Sequence, residues 1–157
     1  LDQTGVDLIK GFEGWRPCYY VDPVGLPTIG YGHLIKSGGC CFRILFPIVS
    51  LLQSDAQQFV TCVNAMGLNI NQNQFNAIVS FAYNLGCGSS GVASGSSFCR
   101  DARSGNCNPF CRLRRCLRHH EAIRSRSDGL RKLWLGGGQV LPGLVNRRAA
   151  ECNLFNS

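Results

Sequence analysis

Between residues 4 and 13 apolar and polar positions recur with a helical period, and Val6, Leu8, Ile9 and Phe12 share one side. Thr4 can cap this segment, with Asp7 three residues on as a capping-box partner. Gly14 suits the residue at which a helix ends, so Glu13 falls in the last turn. The period then changes. Cys18-Tyr19-Tyr20-Val21 and Thr28-Ile29-Gly30-Tyr31 are strand-like runs around Asp22-Pro23-Val24-Gly25, which has Asp, Pro and Gly where a type I turn favours them, and a hairpin is expected. Ser37-Gly38-Gly39 marks a loop. Helical spacing returns from Ile48 to Ala65. Asn71, with Gln74 three residues later, opens a second strong helix whose apolar stripe is Phe75, Ile78, Val79, Ala82 and Leu85 and which stops at Gly86.

Gly88 to Ser97 is rich in Gly and Ser and reads as a loop, and Phe98 to Arg103 as a short helix. Residues 108–135 are helix-compatible but basic, with a weak apolar period. Gly136-Gly137-Gly138 is a break, and Pro142 to Phe155 reads as a final helix with Pro near its start. There is no internal repeat and no sign of a second domain. The most apolar piece, Phe42 to Leu52, is about half the roughly 20 residues a spanning helix needs and carries Arg43 and Pro47, so no transmembrane segment is expected. A start at Leu1, without a basic leader region or cleavage site, reads as a mature or constructed N-terminus.

Composition adds two facts. Ten cysteines in 157 residues point to disulfides and an oxidising compartment. Adjacent Cys40 and Cys41 should pair with different partners, because a vicinal bridge is strained. Cys107, Cys111 and Cys116 followed by His119 and His120 resemble metal-ligand spacing only loosely, and no metal is expected. The net charge is +7, and eight of the 16 Lys and Arg lie between Arg112 and Lys132 against only Glu121 and Asp128. Such a segment either attracts an anionic polymer or is a solvated helical face. No nucleic-acid-binding signature accompanies it, so no specific nucleic-acid partner is expected.

With only 9 acidic residues, the placement of Glu13 and Asp22 on either side of a helix-to-hairpin junction stands out. Carbonyls at a helix C-terminus disfavour a neighbouring negative charge, and Phe12 and Trp15 would add desolvation, so Glu13 is suited to keep a proton and act as a general acid. Asp22, at a polar turn, should stay ionised. Two carboxyls in contrasting environments suit the division of labour in glycoside hydrolysis. Thr28 returns along the hairpin towards Asp22 and offers a hydroxyl for a water. Gly30 and Gly32 leave room for a polymer to approach. The plainer alternative is a helix-end glutamate and an aspartate that simply makes its turn.

Glu13-x8-Asp22-x5-Thr28, followed by Ile29-Gly30-Tyr31-Gly32-His33, resembles the active-site segment of phage-type lysozymes, glycoside hydrolase family 24. The likeness continues through Leu51-Leu52-Gln53-Ser54-Asp55, through Asn71 to Gly86, and through Gly137 to Val145 with Arg147-Arg148-Ala149-Ala150-Glu151. It implies a predominantly helical α+β fold in one domain of residues 1–157: a small β-containing lobe (about 14–50), an inter-lobe helix (about 48–65), and a helical lobe (about 66–157 with the N-terminal helix) around a substrate cleft. It implies hydrolysis of the β-1,4 bond between N-acetylmuramic acid and N-acetylglucosamine of peptidoglycan, with inversion and carboxyls roughly 6.5–9.5 Å apart. Glu13 maps to the acid, Asp22 to the carboxylate that activates water, and Thr28 to the residue that holds it. His33 maps to an ion pair with Asp55, although as a histidine it could also be a base. Gly32, Leu34, Tyr83, Asn84 and Ser96 map to sugar contacts, with Tyr83 alternatively a core residue.

In the run Asn146-Arg147-Arg148, Arg147 is the candidate to approach the catalytic acid. Cys111 to Leu135 departs from the family pattern and reads as a diverged insertion or the mark of an artificial member. The expectation is a monomeric, cofactor-free enzyme, released outside the cell, whose basic surface favours the anionic bacterial envelope. The competing function is a non-catalytic, envelope-binding or membrane-disrupting basic protein on the same fold.

Overall fold

The computed structural model describes residues 1–22, 25–35, 48–87, 135–136 and 139–157, with backbone alone at 48, 135, 136, 139 and 140. The expected loops at 37–39 and 88–97, the helix at 98–103 and the basic segment up to residue 134 lie outside these residues. So do Cys40, Cys41, Ser96, His119 and His120.

Four helices and five strands are described: α1 (Gln3–Glu13), β1 (Arg16–Val21), β2 (Pro27–Gly30), β3 (His33–Leu34), α2 (Ile48–Asn64), α3 (Gln72–Leu85), β4 (Leu135–Gly136), β5 (Gln139–Val140) and α4 (Pro142–Phe155). The fold is α+β and predominantly helical. None of these helices is long and apolar enough to cross a membrane.

The cap of α1 is Asp2, not Thr4: the Asp2 carboxylate accepts the Gly5 N–H at 3.1 Å. The reason is tertiary. Fully buried Asn76 on α3 donates to Asp2 Oδ1 at 2.6 Å and accepts the Asp2 N–H at 3.3 Å, which fixes the aspartate in the capping position. Gly5 lets the two helices meet there, since a β-carbon on it would come within 2.8 Å of Asn76 Oδ1. At its other end α1 stops at Gly14 with φ 70°, a backbone conformation that glycine adopts without steric penalty.

β1, β2 and β3 form an antiparallel sheet in that order, with Tyr20 opposite Thr28, Val21 opposite Pro27, and Ile29 opposite His33. The expected hairpin is present. The third strand was not anticipated, because two residues carry too short a pattern to read. β1 is largely exposed.

α3 opens with the expected capping box, Asn71 with Gln74. Its burial is wider than the stripe read from the sequence: every residue from Asn76 to Ala82 is buried, while Phe75 and Leu85 are only partly so. A central helix packed by α1, α2 and α4 has no solvent face over this stretch. Pro142 begins α4 as expected. The buried side of α4 is unusual in carrying Arg147, Arg148 and Glu151 beside Cys152 and Phe155. β4 and β5 pair antiparallel across the glycine break.

Cys62 at the end of α2 is bonded to Cys87 just after α3. Cys152 is also in a disulfide. Cys18, exposed on β1, is a free thiol.

Candidate active site

Each candidate carboxylate is held in a different way. Asp22 is fixed by its own turn. Its backbone N–H donates to the Leu26 carbonyl at 2.9 Å, its carbonyl accepts the Gly25 N–H at 3.0 Å, and its Oδ1 accepts the Leu26 N–H at 2.8 Å. Thr28 is buried to 2% exposure, and its hydroxyl donates to the same Leu26 carbonyl at 3.1 Å. One carbonyl thus ties Asp22 and Thr28 to one end of the hairpin. A hydroxyl whose proton is engaged still has its lone pairs free to accept.

Glu13 ends α1 with its side chain 22% exposed, and Arg147 Nη1 lies 2.6 Å from its Oε1. Its other oxygen, Oε2, faces the tight turn at Gly32, where a β-carbon would sit 3.9 Å away and where φ is 84°. The helix-end and aromatic arguments applied to Glu13 left out this cation, which came only from the resemblance.

Arg147 is itself clamped. Its Nε donates to Glu151 Oε1 at 3.2 Å and its Nη2 to the Ser80 carbonyl at 3.0 Å. The Ser80 hydroxyl donates to Glu151 Oε1 at 2.8 Å. Arg148 places Nη1 3.1 Å from Glu151 Oε2 as an ion pair outside hydrogen-bond angles, and it donates through Nη2 to Asn84 Oδ1 at 2.6 Å. Its guanidinium also lies 4.5 Å from the centre of the Phe81 ring, a cation–π contact. Burial lowers Arg148 to about 10, against the attraction of Glu151, with Arg147 adding to the fall. Burial likewise pushes Glu151 upward, opposed by Arg148, Arg147 and the hydrogen bonds from Ser80 and Arg147. All three groups facing the Glu151 oxygens are donors, the arrangement that suits a carboxylate.

Tyr83 lies within electrostatic reach of both Glu13 and Asp55. Its hydroxyl donates to the Tyr31 carbonyl at 3.3 Å, joining α3 to the turn beside Glu13. Burial, then the nearby Glu13 and Asp55 charges, raise this phenol well above its ordinary value. His33 Nδ1 lies 2.8 Å from Asp55 Oδ2, linking β3 to α2. Leu34 and Gly32 are exposed.

Glu13, Gly32, Tyr83 and Arg147 are therefore brought together, Asn84 is bonded to the neighbouring Arg148, Asp22 and Thr28 share the Leu26 carbonyl on the hairpin, and His33 pairs with Asp55. Tyr83 and Asn84 both have protein partners already. The residues that sequence reasoning missed are Ser80, Arg148 and Glu151. A readable signal existed: Glu151 stands four and three residues after two arginines, so one carboxylate can reach both.

No group of three or more His, Cys, Asp or Glu able to hold a metal is present among the described residues.

The phage lysozyme family model matches residues 10–151. The chain is 36% identical to an endolysin of Bacillus phage PZA over 161 residues, covering 100% of this chain and 55% of that protein. It is 35% identical to an endolysin of Lactococcus phage c2 over 167 residues, covering 99% of this chain and 60% of that one. Among solved structures, the muramidase domain of SpmX from Asticaccaulis excentricus superposes with a TM-score of 0.71 at 31% identity, covering 99% of this chain and 97% of that chain. The chain spans between half and two thirds of the length of these curated endolysins. A family model matching nearly the whole sequence, and a lysozyme-like fold carrying the Glu13, Asp22 and Thr28 pattern, place this chain in the phage lysozyme family.

Proposed function

We propose that this chain cleaves the β-1,4 bond between N-acetylmuramic acid and N-acetylglucosamine in peptidoglycan, as a monomer acting outside the cytoplasm on the anionic bacterial envelope. The observation that carries the reading is Glu13 at the end of α1, partly exposed and bonded on one oxygen by buried Arg147. With Oε1 so engaged, Oε2 is the oxygen left to carry a proton to substrate. Glu13 protonates the glycosidic oxygen as the bond to the anomeric carbon breaks. Asp22 takes a proton from water as the water oxygen bonds to that carbon, and the product is inverted. Thr28, its own proton spent on Leu26, accepts a hydrogen from that water and aims its lone pair. On this reading the glycan lies between the hairpin and the helices, passing Gly32 and Leu34, with Tyr83 and Asn84 along the same side.

The test is reducing-end release from purified peptidoglycan by the parent and by Glu13→Gln. Release by the parent, with a loss of about 10²–10⁴-fold or more in the variant, supports the assignment. Equal release by both removes Glu13 from the acid role. No release by either, with whole cells still cleared, points to the basic envelope-disrupting function.

A further inference from the structure

The mechanism above gives no task to Glu151, a carboxylate with no exposed surface at all. We propose that Glu151 is a positioning residue for the reaction: it holds the rear of Arg147 and neutralises the second buried cation, Arg148, so that Glu13 meets one fixed guanidinium edge. This rests on the reading of Glu13 as the general acid.

The geometry is that of a three-point clamp. The nitrogens of Arg147 are each committed to a different acceptor: Nε to Glu151, Nη2 to the Ser80 carbonyl and Nη1 to Glu13. Because the guanidinium is planar and rigid, fixing two of its corners fixes the third. Glu151 is fixed in turn by the Ser80 hydroxyl, so α3 holds the assembly from its own side.

Charge completes the argument. Glu13, Arg147, Arg148 and Glu151 sum to zero when all are ionised. Protonating Glu13 leaves one uncompensated positive charge. Without Glu151 it would leave two, and a second positive charge in a poorly solvated site opposes the proton that the acid must carry.

The other titratable and charged groups near Glu13, among the described residues, come from every neighbouring element. Tyr83 faces it from α3, and Asp55 of α2, paired with His33 of β3, lies beyond that phenol. Lys10, one turn earlier on α1, is drawn to Asp7 at 3.4 Å. Among the described residues, Glu151 is linked to Arg147 and Arg148 on its own helix and to Ser80 on α3. Substitutions at Glu151 or Arg148 leave these other groups in place.

The test follows Glu13 by two readouts on the full chain labelled with ¹³C at glutamate side-chain carboxyls. One is the pH midpoint of the Glu13 carboxyl signal by NMR, and the other is the alkaline limb of kcat/KM for reducing-end release. In Glu151→Gln both should move to lower pH, by on the order of one unit. In Arg148→Met both should move to higher pH. In the double variant Glu151→Gln/Arg148→Met, which removes one charge of each sign, both should return close to the parent. A folded Glu151→Gln with an unmoved midpoint overturns the proposal. If Glu151→Gln does not fold, because its amide would point a donor at Arg148, then Arg148→Met decides: a midpoint that does not rise overturns it. Loss of turnover without movement of either readout also overturns it, since that is what a merely structural role predicts. A parent that releases no reducing ends would instead overturn the functional reading, and the carboxyl titration, which needs no turnover, tells the two failures apart.

Discussion

Asp22 and Glu13 show two ways of holding a carboxylate. Asp22 hydrogen-bonds within its own turn, to Gly25 and Leu26, on a sheet whose first strand faces solvent. Glu13 is held by Arg147, 134 residues along the chain, which is in turn held by Ser80 and Glu151 in the buried centre of the helices. The first arrangement uses hydrogen bonds within a single turn. The second is a chain of buried charges in which each member depends on the next, and loss of any one leaves another unpaired in a medium that penalises it.

The contrast can be broken by substitution. The largest effect on stability is expected from Glu151→Ala, which leaves two buried guanidiniums with Glu13 as the one carboxylate, among the described residues, bonded to either of them and should cost about 3–5 kcal/mol in denaturant unfolding. Asp22→Asn keeps an acceptor for the Leu26 N–H, so unfolding should change by less than about 1 kcal/mol while reducing-end release falls about 10²–10⁴-fold. If Asp22→Asn unfolds the protein as readily as Glu151→Ala, the distinction between the two regions fails. Asp55→Asn acts between them: its partly exposed pair with His33 should contribute about 1 kcal/mol or less, and less again in high salt.

The smallest effect is expected from Tyr83→Phe, at about 0.5 kcal/mol near neutral pH, since it removes one long hydrogen bond. Its signature is in alkali. The native phenol binds its proton more tightly than the unfolded one, so above about pH 10 the unfolded state releases a proton that the native state keeps, and stability falls as pH rises. Below that pH the contribution is fully present. Melting temperatures followed from about pH 9 to about pH 11 should fall less steeply in Tyr83→Phe than in the parent.

Features governed by near neighbours were readable. The capping box at Asn71, the stop at Gly86, the hairpin around Asp22 and the proline start of α4 all follow from residues within one turn of each other. Features governed by contact across the chain were not. Thr4 was a sound local cap, but Asn76 recruits Asp2 in its place. A period of apolar residues foretold one buried face of α3 and could not tell that α1, α2 and α4 would cover the others. The candidate acid and its hairpin partners were legible as a pattern and became specific only through resemblance to a family. The clamp behind Arg147 was overlooked because charged residues on a helix are ordinarily read as its solvent side, whereas Arg148 and Glu151 are almost wholly buried.

The docking of Asn76 against Asp2 gives α1 the mechanics of a lever. Eleven residues of helix span about 16 Å, with the pivot at Asp2 and Gly5 and the acid at the far tip. A small rotation at the pivot is magnified at the tip, where Arg147 waits with a single N–H edge. Gly5→Ala, which forces a β-carbon against Asn76, should therefore be felt as misaligned chemistry at a distance: a fall in turnover from a buried residue at the opposite end of the helix from Glu13.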